Sequence, residues 1–165
     1  MISVLIPLAP GRVLDARIKD ALAAQTVENE VYIYCSPIKL SKYEHQAANL
    51  NYLKRFASIP YTMIMSADQI IDNPNTLELL SAELDARPEI DAVTADSKGF
   101  TAEDKRIREQ ETYHVLLDPC LVRTAAIDGI TFRSLEPGDC PCKAFNLDIG
   151  KGRIVYHPTL TAKEI

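Results

Sequence analysis

Four short runs of apolar, β-branched or aromatic residues punctuate the first part of the chain. They lack the strict alternation of a strand with one face in water, and such continuous runs are typical of strands buried in a parallel sheet. We therefore predict strands at residues 2–7, 30–35, 61–65 and 90–95.

The segments between these runs have the 3.6-residue period of amphipathic helices. One apolar stripe predicts a helix over about 11–24. A second helix is predicted after Ser41, which has the spacing of a capping box with Glu44, and a third after the Asn-Pro pair at 73–74. Strands that alternate with helices predict right-handed crossovers. The predicted fold is therefore α/β, a Rossmann-type sandwich with a mostly parallel central sheet and helices on both faces.

The rest of the chain has a less regular pattern. Residues 97–111 are charged and predict an exposed loop or a frayed helix. Strands are predicted at 112–117 and 129–132, around a short turn of helix near 123–126. A loop flanked by Pro and Gly leads into a short helix, and a last strand is predicted at 153–158.

Length, composition and charge narrow the class of protein. A chain of 165 residues with 47% apolar content predicts one domain over 1–165, because it can fill one core but not two. The formal charge of −5, without a long Lys/Arg run, gives no electrostatic footprint for nucleic acid. No apolar run approaches the roughly 18 residues of a transmembrane segment, and no leader pattern follows Met1, so we expect a cytoplasmic protein.

The cysteines do not predict a disulfide framework. Cys35, Cys120, Cys140 and Cys142 are few and irregularly spaced for a chain of this length. The pair Cys140 and Cys142 could form half of a zinc site, but no second Cys/His pair has matching spacing. His114 falls inside a predicted strand, and we expect it to be a packed, hydrogen-bonded residue rather than a ligand.

A carboxylate follows the third predicted strand at once, because the run YTMIM stops at Ser66-Ala67-Asp68. Ligands of parallel α/β sheets bind outside the carboxyl ends of the strands. Asp68 is therefore expected on the ligand-binding edge. The alternative interpretation is a loop carboxylate that caps the following turn or helix.

The order of these elements and several local sequences resemble one family of enzymes. The sequences are ISVLIP, ALAAQTVENEVYIY, HQAANLNYLKRFAS and YTMIMSADQIIDNPNTLELLSAELDARPEIDAV, with a weaker likeness at PGDCPCKAFNLDIGKGRIVYHP. Together they resemble the nucleotide-sugar domain of the family 2 glycosyltransferases, which have the GT-A fold of the nucleotide-diphospho-sugar transferase superfamily. The resemblance implies a nucleotide-sugar-binding half at 1–96 and an acceptor or catalytic half at 112–165, joined by the exposed loop at 97–111.

The resemblance implies a divalent cation, Mn²⁺ or Mg²⁺, at Asp68. This residue matches the second, metal-binding Asp of the family's Asp-x-Asp motif, and Ser66 stands in place of the first Asp. Oxygen ligands suit such hard cations, and the metal neutralises charge on the departing nucleoside diphosphate. Near the end of the chain, His157 is similar to a metal-binding His of some glycosyltransferases with this fold.

The resemblance also implies donor-binding residues at several strand ends and on one helix. They are Pro7, Ser36, Asn49, Ser66 and Asp68. The chain departs from the family's pattern at 34–37, where no carboxylate follows the second strand, so we expect backbone groups or other side chains to recognise the base. Arg12, Arg17 and Lys42 could meet phosphate, or they could form solvated helix faces.

Asp139 is the candidate general base. It matches the second member of the family's Glu-Asp pair, which takes the proton from the acceptor hydroxyl, and Gly138 replaces the first member. A base must reach its proton and stay ionised, which a loop at the edge of a cleft permits. The alternative is an N-cap for the helix that follows Asp139.

The resemblance implies a glycosyltransferase that moves a sugar from a nucleotide-diphosphate sugar to an acceptor hydroxyl, metal-assisted and with inversion. The acceptor is not identified by the sequence, and a homo-oligomer could complete its site. The alternative is a non-catalytic GT-A-like module that binds a nucleotide or a protein. Dinucleotide-binding, Walker, serine-hydrolase and zincin motifs are absent from the sequence.

Overall fold

A six-stranded sheet forms the centre of the computed structural model, which describes residues 1–165. The strands are β1 (Ile2–Pro7), β2 (Asn29–Tyr34), β3 (Tyr61–Ile64), β4 (Gln69–Ile70), β5 (Ala92–Asp96), β6 (Cys120–Arg123), β7 (Ile154–Thr161) and β8 (Lys163–Glu164). The helices are α1 (Ala16–Ala23), α2 (Lys42–Leu53), α3 (Thr76–Ala86), α4 (Ala102–Gln110), α5 (Thr124–Ile127) and α6 (Pro141–Ile149).

The central sheet is mostly parallel and has the order β2-β1-β3-β6-β5-β7. Strand β1 pairs in parallel with β2 and β3, and β5 pairs in parallel with β7. Only β6 runs the other way, between β3 and β5. Strands β4 and β8 form a separate antiparallel pair. The predicted mostly parallel central sheet is confirmed.

Both faces of the sheet are covered, which explains the continuous apolar runs of the strands. One core cluster joins Met63 to apolar residues of α1 and α3. The other joins the next residue of β3, Ile64, to residues of α2, α5 and α6. Because successive side chains of a strand point to opposite faces, Met63 packs in the first cluster and Ile64 in the second. The helices therefore lie on both faces, as predicted.

Two helices differ in detail from the prediction. Helix α1 begins at Ala16 instead of near residue 11, because Asp15 is its N-cap and its side chain accepts a hydrogen bond from the backbone of Arg17. Within 97–111 the chain forms α4, which has no buried residue and starts with a capping box of Thr101 and Asp104. The capping box predicted at Ser41 and Glu44 is present at the start of α2.

The strands predicted at 112–117 and 129–132 are wrong, and the strand between them, β6, was missed. At both predicted positions a side-chain amide forms the backbone hydrogen bonds that a neighbouring strand would otherwise form. Asn146 accepts a hydrogen bond from the backbone N–H of Val115 and donates one to its carbonyl, at 3.2 and 2.9 Å. Asn51 does the same for Phe132, at 2.7 and 2.8 Å. The backbone of Val115 and Phe132 is thus hydrogen-bonded without joining the sheet.

The helices of the structure are short. None of them combines the length and the apolar character that a bilayer crossing requires.

Candidate functional site

A cleft of about 1050 Å³ lies along one edge of the sheet. Its wall includes Pro7 at the end of β1 and Ser66 and Asp68 just after β3. Because β6 is antiparallel, with Cys120 paired to Ile64, the residues that precede β6 reach the same edge. Asp118 therefore lies beside the end of β3, and it also lines the cleft.

Asp118 is a buried carboxylate in the cleft with one unpartnered oxygen. Its Oδ2 accepts a hydrogen bond from the Ser66 hydroxyl at 3.1 Å, whereas its buried Oδ1 has no hydrogen-bond partner. Burial raises the pKa of Asp118 to about 6, and the negative charge of Asp68 adds to the shift, which the Ser66 hydrogen bond opposes. A buried oxygen without a partner is costly, so this group would gain from a proton or a cation.

Gln69 brings a second unpartnered oxygen to this edge. Its amide nitrogen donates to the Ser97 hydroxyl at 3.0 Å and to the Asp118 carbonyl at 3.2 Å, but its buried Oε1 has no partner. Carboxylate and amide oxygens are the donors that Mg²⁺, Mn²⁺ and other hard cations prefer. The donor set at the ends of β3 and β6 therefore fits such a cation.

Asp68 is exposed at the mouth of the cleft. The N-cap of the next helix, α3, is Asn75, so Asp68 does not cap that helix. The Lys98 ammonium forms an ion pair with Glu164, and this hydrogen bond raises the pKa of Lys98. The negative charges of Asp68 and Asp118 contribute further to that shift. Acidic and basic groups thus meet at one point of the cleft wall.

Basic side chains line the cleft although the chain carries a net charge of −5. They are Arg12, Arg17, Lys42, Lys98 and Arg108. The three basic residues singled out from the sequence are among them. Arg17 is paired with Asp15 at 2.8 Å, and Lys98 is paired with Glu164. The lining also carries four carboxylates, Asp15, Asp68, Asp118 and Glu164, so its basic and acidic groups nearly balance.

Asn49 lines the cleft, but its side chain forms hydrogen bonds with the backbone of neighbouring segments. Only 1% of it is exposed; its Oδ1 accepts from the Ser36 backbone at 2.8 Å and its amide donates to the Leu8 carbonyl at 3.1 Å. Asn49 thus fixes the chain after β1 and after β2. Ser36 is itself buried and does not line the cleft, and its hydroxyl accepts from the backbone of Ile38 at 3.3 Å.

The structure does not bring Asp139 or His157 to the cleft. The Asp139 carboxylate pairs with Lys143 at 3.3 Å, one turn into α6, and Cys140 instead of Asp139 is the N-cap of that helix. His157 lies in β7, at the edge of the sheet far from β1, and its Nδ1 accepts from the backbone of Leu160 at 3.1 Å. Asp139 is therefore not among the residues that line the cleft, and it is not the N-cap of α6.

A cluster of His114, Cys140 and Cys142 also lines the cleft, and sequence spacing did not predict it. The Nε2 of His114 lies 3.1 Å from the Sγ of Cys140, and the three donor atoms lie within 4.8 Å of one another. The imidazole comes from the segment before β6, 26 residues away from the first thiol. Asp118 was missed for the same reason, since only the unpredicted strand β6 places it at this edge.

Comparisons with known proteins give a likeness of structure only. No protein-family model matches the sequence, and no curated protein matches it. S. aureus TarS 1–349 in complex with UDP-GlcNAc is 16% identical, with a TM-score of 0.69 over 98% of this chain and 57% of that chain. The mannosyltransferase PcManGT from Pyrobaculum calidifontis, in complex with GDP-Man and Mn²⁺, is 16% identical, with a TM-score of 0.75 over 99% of this chain and 56% of that chain.

A third similar structure is matched over most of its length. The glycosyltransferase involved in glycosylation of the major capsid of PBCV-1 is 9% identical, with a TM-score of 0.56 over 99% of this chain and 92% of that chain. The present chain spans less than two thirds of the TarS and mannosyltransferase chains. Its fold is the GT-A-like fold of these glycosyltransferases, which confirms the predicted fold class and the structural part of the predicted resemblance.

Proposed function

We propose that this chain is a metal-assisted glycosyltransferase, which moves a sugar from a nucleotide-diphosphate sugar to an acceptor hydroxyl. The observation that carries the proposal is the pair Asp68 and Asp118, which flanks the carboxyl end of β3 inside a cleft of a GT-A-like fold. Structural neighbours in complex with UDP-GlcNAc, or with GDP-Man and Mn²⁺, support the substrate class.

The donor diphosphate would lie against basic side chains of the cleft and the metal. Asp68 would hold Mn²⁺ or Mg²⁺ at the mouth of the cleft, and the cation would neutralise charge on the leaving nucleoside diphosphate. Arg12 and Lys42 would bind phosphate oxygens, because both line the cleft and neither is held in an ion pair. Pro7 and Asn49 would shape the rim, where the backbone after β1 is fixed by the Asn49 amide.

Asp118 would take the proton of the acceptor hydroxyl. Its Oδ1 has no other partner, and the Ser66 hydroxyl holds Oδ2 in place. A carboxylate with one free oxygen and one oriented oxygen suits general-base catalysis. This assignment moves the base from Asp139, which pairs with Lys143 outside the cleft, to Asp118. Inversion at the sugar carbon, a homo-oligomer and a cytoplasmic location stay predictions from the sequence.

A release assay tests the proposal. The protein is incubated with UDP-, GDP- or dTDP-sugars in Mn²⁺ or in EDTA, and the freed nucleoside diphosphate is measured. We expect one donor class to release its nucleoside diphosphate in Mn²⁺ and not in EDTA, because charge on the leaving group must be neutralised. Binding of a donor without release would favour the non-catalytic module, and release equal in Mn²⁺ and EDTA would contradict the role of the metal.

A further inference from the structure

Two thiols and one imidazole meet in the wall of the cleft, apart from the carboxylates of the proposed transfer site. Cys140 and Cys142 stand at the start of α6, and His114 stands on the segment that leads to β6. Their donor atoms lie within 4.8 Å of one another. In a tetrahedral zinc site, metal–ligand bonds of about 2.0–2.3 Å place the ligand atoms about 3.5–4 Å apart. The cluster is therefore close to metal-binding size.

The backbone on both sides of the cluster is already fixed. The Asn146 amide donates to the Cys142 carbonyl at 2.8 Å and to the Val115 carbonyl at 2.9 Å, so one buried side chain ties the two segments together. The backbone of His114 forms a further link, because its N–H donates to the Arg108 carbonyl at 2.9 Å. A site with preset ligands binds metal without a large ordering cost.

The two thiols and the imidazole interact directly with one another. A hydrogen bond from the Cys142 thiol lowers the pKa of Cys140, and His114 beside it acts in the same direction. Cys142 is only 4% exposed, and its hydrogen bond with Cys140 and its burial raise the pKa of its thiol. Asp118 adds a negative charge that raises the pKa of Cys142. A bound Zn²⁺ would displace the thiol protons and take both sulfurs as thiolate ligands.

We propose that His114 Nε2, Cys140 Sγ and Cys142 Sγ bind one Zn²⁺ ion in the wall of the cleft. Two thiolates and an imidazole select zinc over Mn²⁺ and Mg²⁺, which prefer oxygen. The site is thus different in chemistry from the cation site at Asp68. Three protein ligands leave a fourth position for water or a carboxylate, as in zinc sites that act on bound molecules. The ion would also join the start of α6 to the segment before β6.

Cobalt substitution tests this proposal without any donor or transfer assay, so its outcome is independent of the proposed function. Metal-free, reduced protein is titrated with Co²⁺ in the absence of oxygen, and the absorption spectrum is recorded. We expect one equivalent of Co²⁺ to give thiolate-to-cobalt charge-transfer bands and strong visible bands of tetrahedral cobalt. Added Zn²⁺ should remove both sets of bands.

Cysteine and histidine variants identify the ligands. Cys140→Ser, Cys142→Ser and His114→Gln should each weaken Zn²⁺ binding at least about 100-fold in competition with a chromophoric chelator. Cys35→Ser is the matched control, because Cys35 is a free thiol outside the cluster, and it should bind like the wild type. Circular dichroism checks that each variant is folded.

Three results would overturn the proposal. The first is a Co²⁺ spectrum without charge-transfer bands in folded, reduced protein. The second is a spectrum that Cys140→Ser and Cys142→Ser leave unchanged. The third is a thiol pair that mass spectrometry finds joined as a disulfide under the reducing conditions of the titration.

Discussion

Asp118→Asn is expected to make the protein more stable at neutral pH and to remove sugar transfer. Burial raises the pKa of Asp118 from 3.8 to about 6, so the folded state disfavours the charged form. The stabilising contribution of the neutral carboxyl is fully present below pH 4 and is lost as pH rises through about 6. This pKa shift lowers the free energy of unfolding by up to about 3 kcal/mol at pH 7 and above. Asparagine, which has no charge to bury, would avoid that loss.

Thermal unfolding of the wild type and Asp118→Asn between pH 4 and pH 8, with EDTA present, measures this effect. The two proteins should melt together near pH 4, and the variant should melt roughly 5–10 °C higher at pH 7.5. Transfer should fall about 10²–10⁴-fold in the same variant, because an amide cannot accept the proton of the acceptor. A variant that is less stable than the wild type at pH 7.5 would contradict the claim that the buried charge of Asp118 destabilises the fold.

Asp139→Asn is the matched control for the loss of transfer expected in Asp118→Asn. The family resemblance assigns the base to Asp139, whereas the geometry of the cleft favours Asp118. Loss of an exposed ion pair with Lys143 should change stability by less than about 1 kcal/mol. We therefore expect transfer to persist in Asp139→Asn. Transfer that is lost in Asp139→Asn and retained in Asp118→Asn would return the base to Asp139.

Asp68→Ala is expected to abolish metal-dependent donor binding while leaving the fold intact. Asp68 is exposed, so its removal leaves no cavity in the core. The cation would lose its carboxylate at the mouth of the cleft, and the donor diphosphate would lose its bridge to the protein. We expect the donor to bind about equally weakly in Mn²⁺ and in EDTA, in titration calorimetry of the variant.

Asp72→Ala provides the control for Asp68→Ala. Asp72 is an exposed carboxylate four residues farther along the chain, it pairs with Lys163, and it does not line the cleft. Metal-dependent binding should therefore be the same as in the wild type. Equal binding in Asp68→Ala and the wild type would remove Asp68 from the metal site.

Much of the fold could be predicted from the sequence because a strand that is buried on both faces is a continuous apolar run. The runs at 2–7 and 61–65 are apolar on both faces, and the structure packs a helical layer on each face. Strand β6 was missed because its apolar run is only Cys120, Leu121 and Val122, and Arg123 follows at once. Two apolar segments beside it were mistaken for strands, because their backbone is hydrogen-bonded by the side-chain amides of Asn51 and Asn146, which are distant in sequence.

The candidate site was only partly predictable for a related reason. Asp68 is adjacent in sequence to a strand end, so the position of the strand already placed it at the edge of the sheet. Asp118 reaches that edge through an antiparallel strand, and His114 meets Cys140 across 26 residues. No spacing rule covers such contacts. A carboxylate with an unpartnered buried oxygen becomes visible only when its surroundings are known.

The most direct test of the central claim is the melting temperature of the wild type with UDP-, GDP-, dTDP- and CMP-sugars, each with and without Mn²⁺. A ligand that binds only the folded state raises the free energy of unfolding by about 2.7 kcal/mol when its concentration is 100 times its dissociation constant. The melting temperature rises as a result. We expect a shift with one class of nucleotide sugar, and only in Mn²⁺. Unchanged melting across the whole panel at millimolar ligand would contradict a nucleotide-sugar site in this cleft.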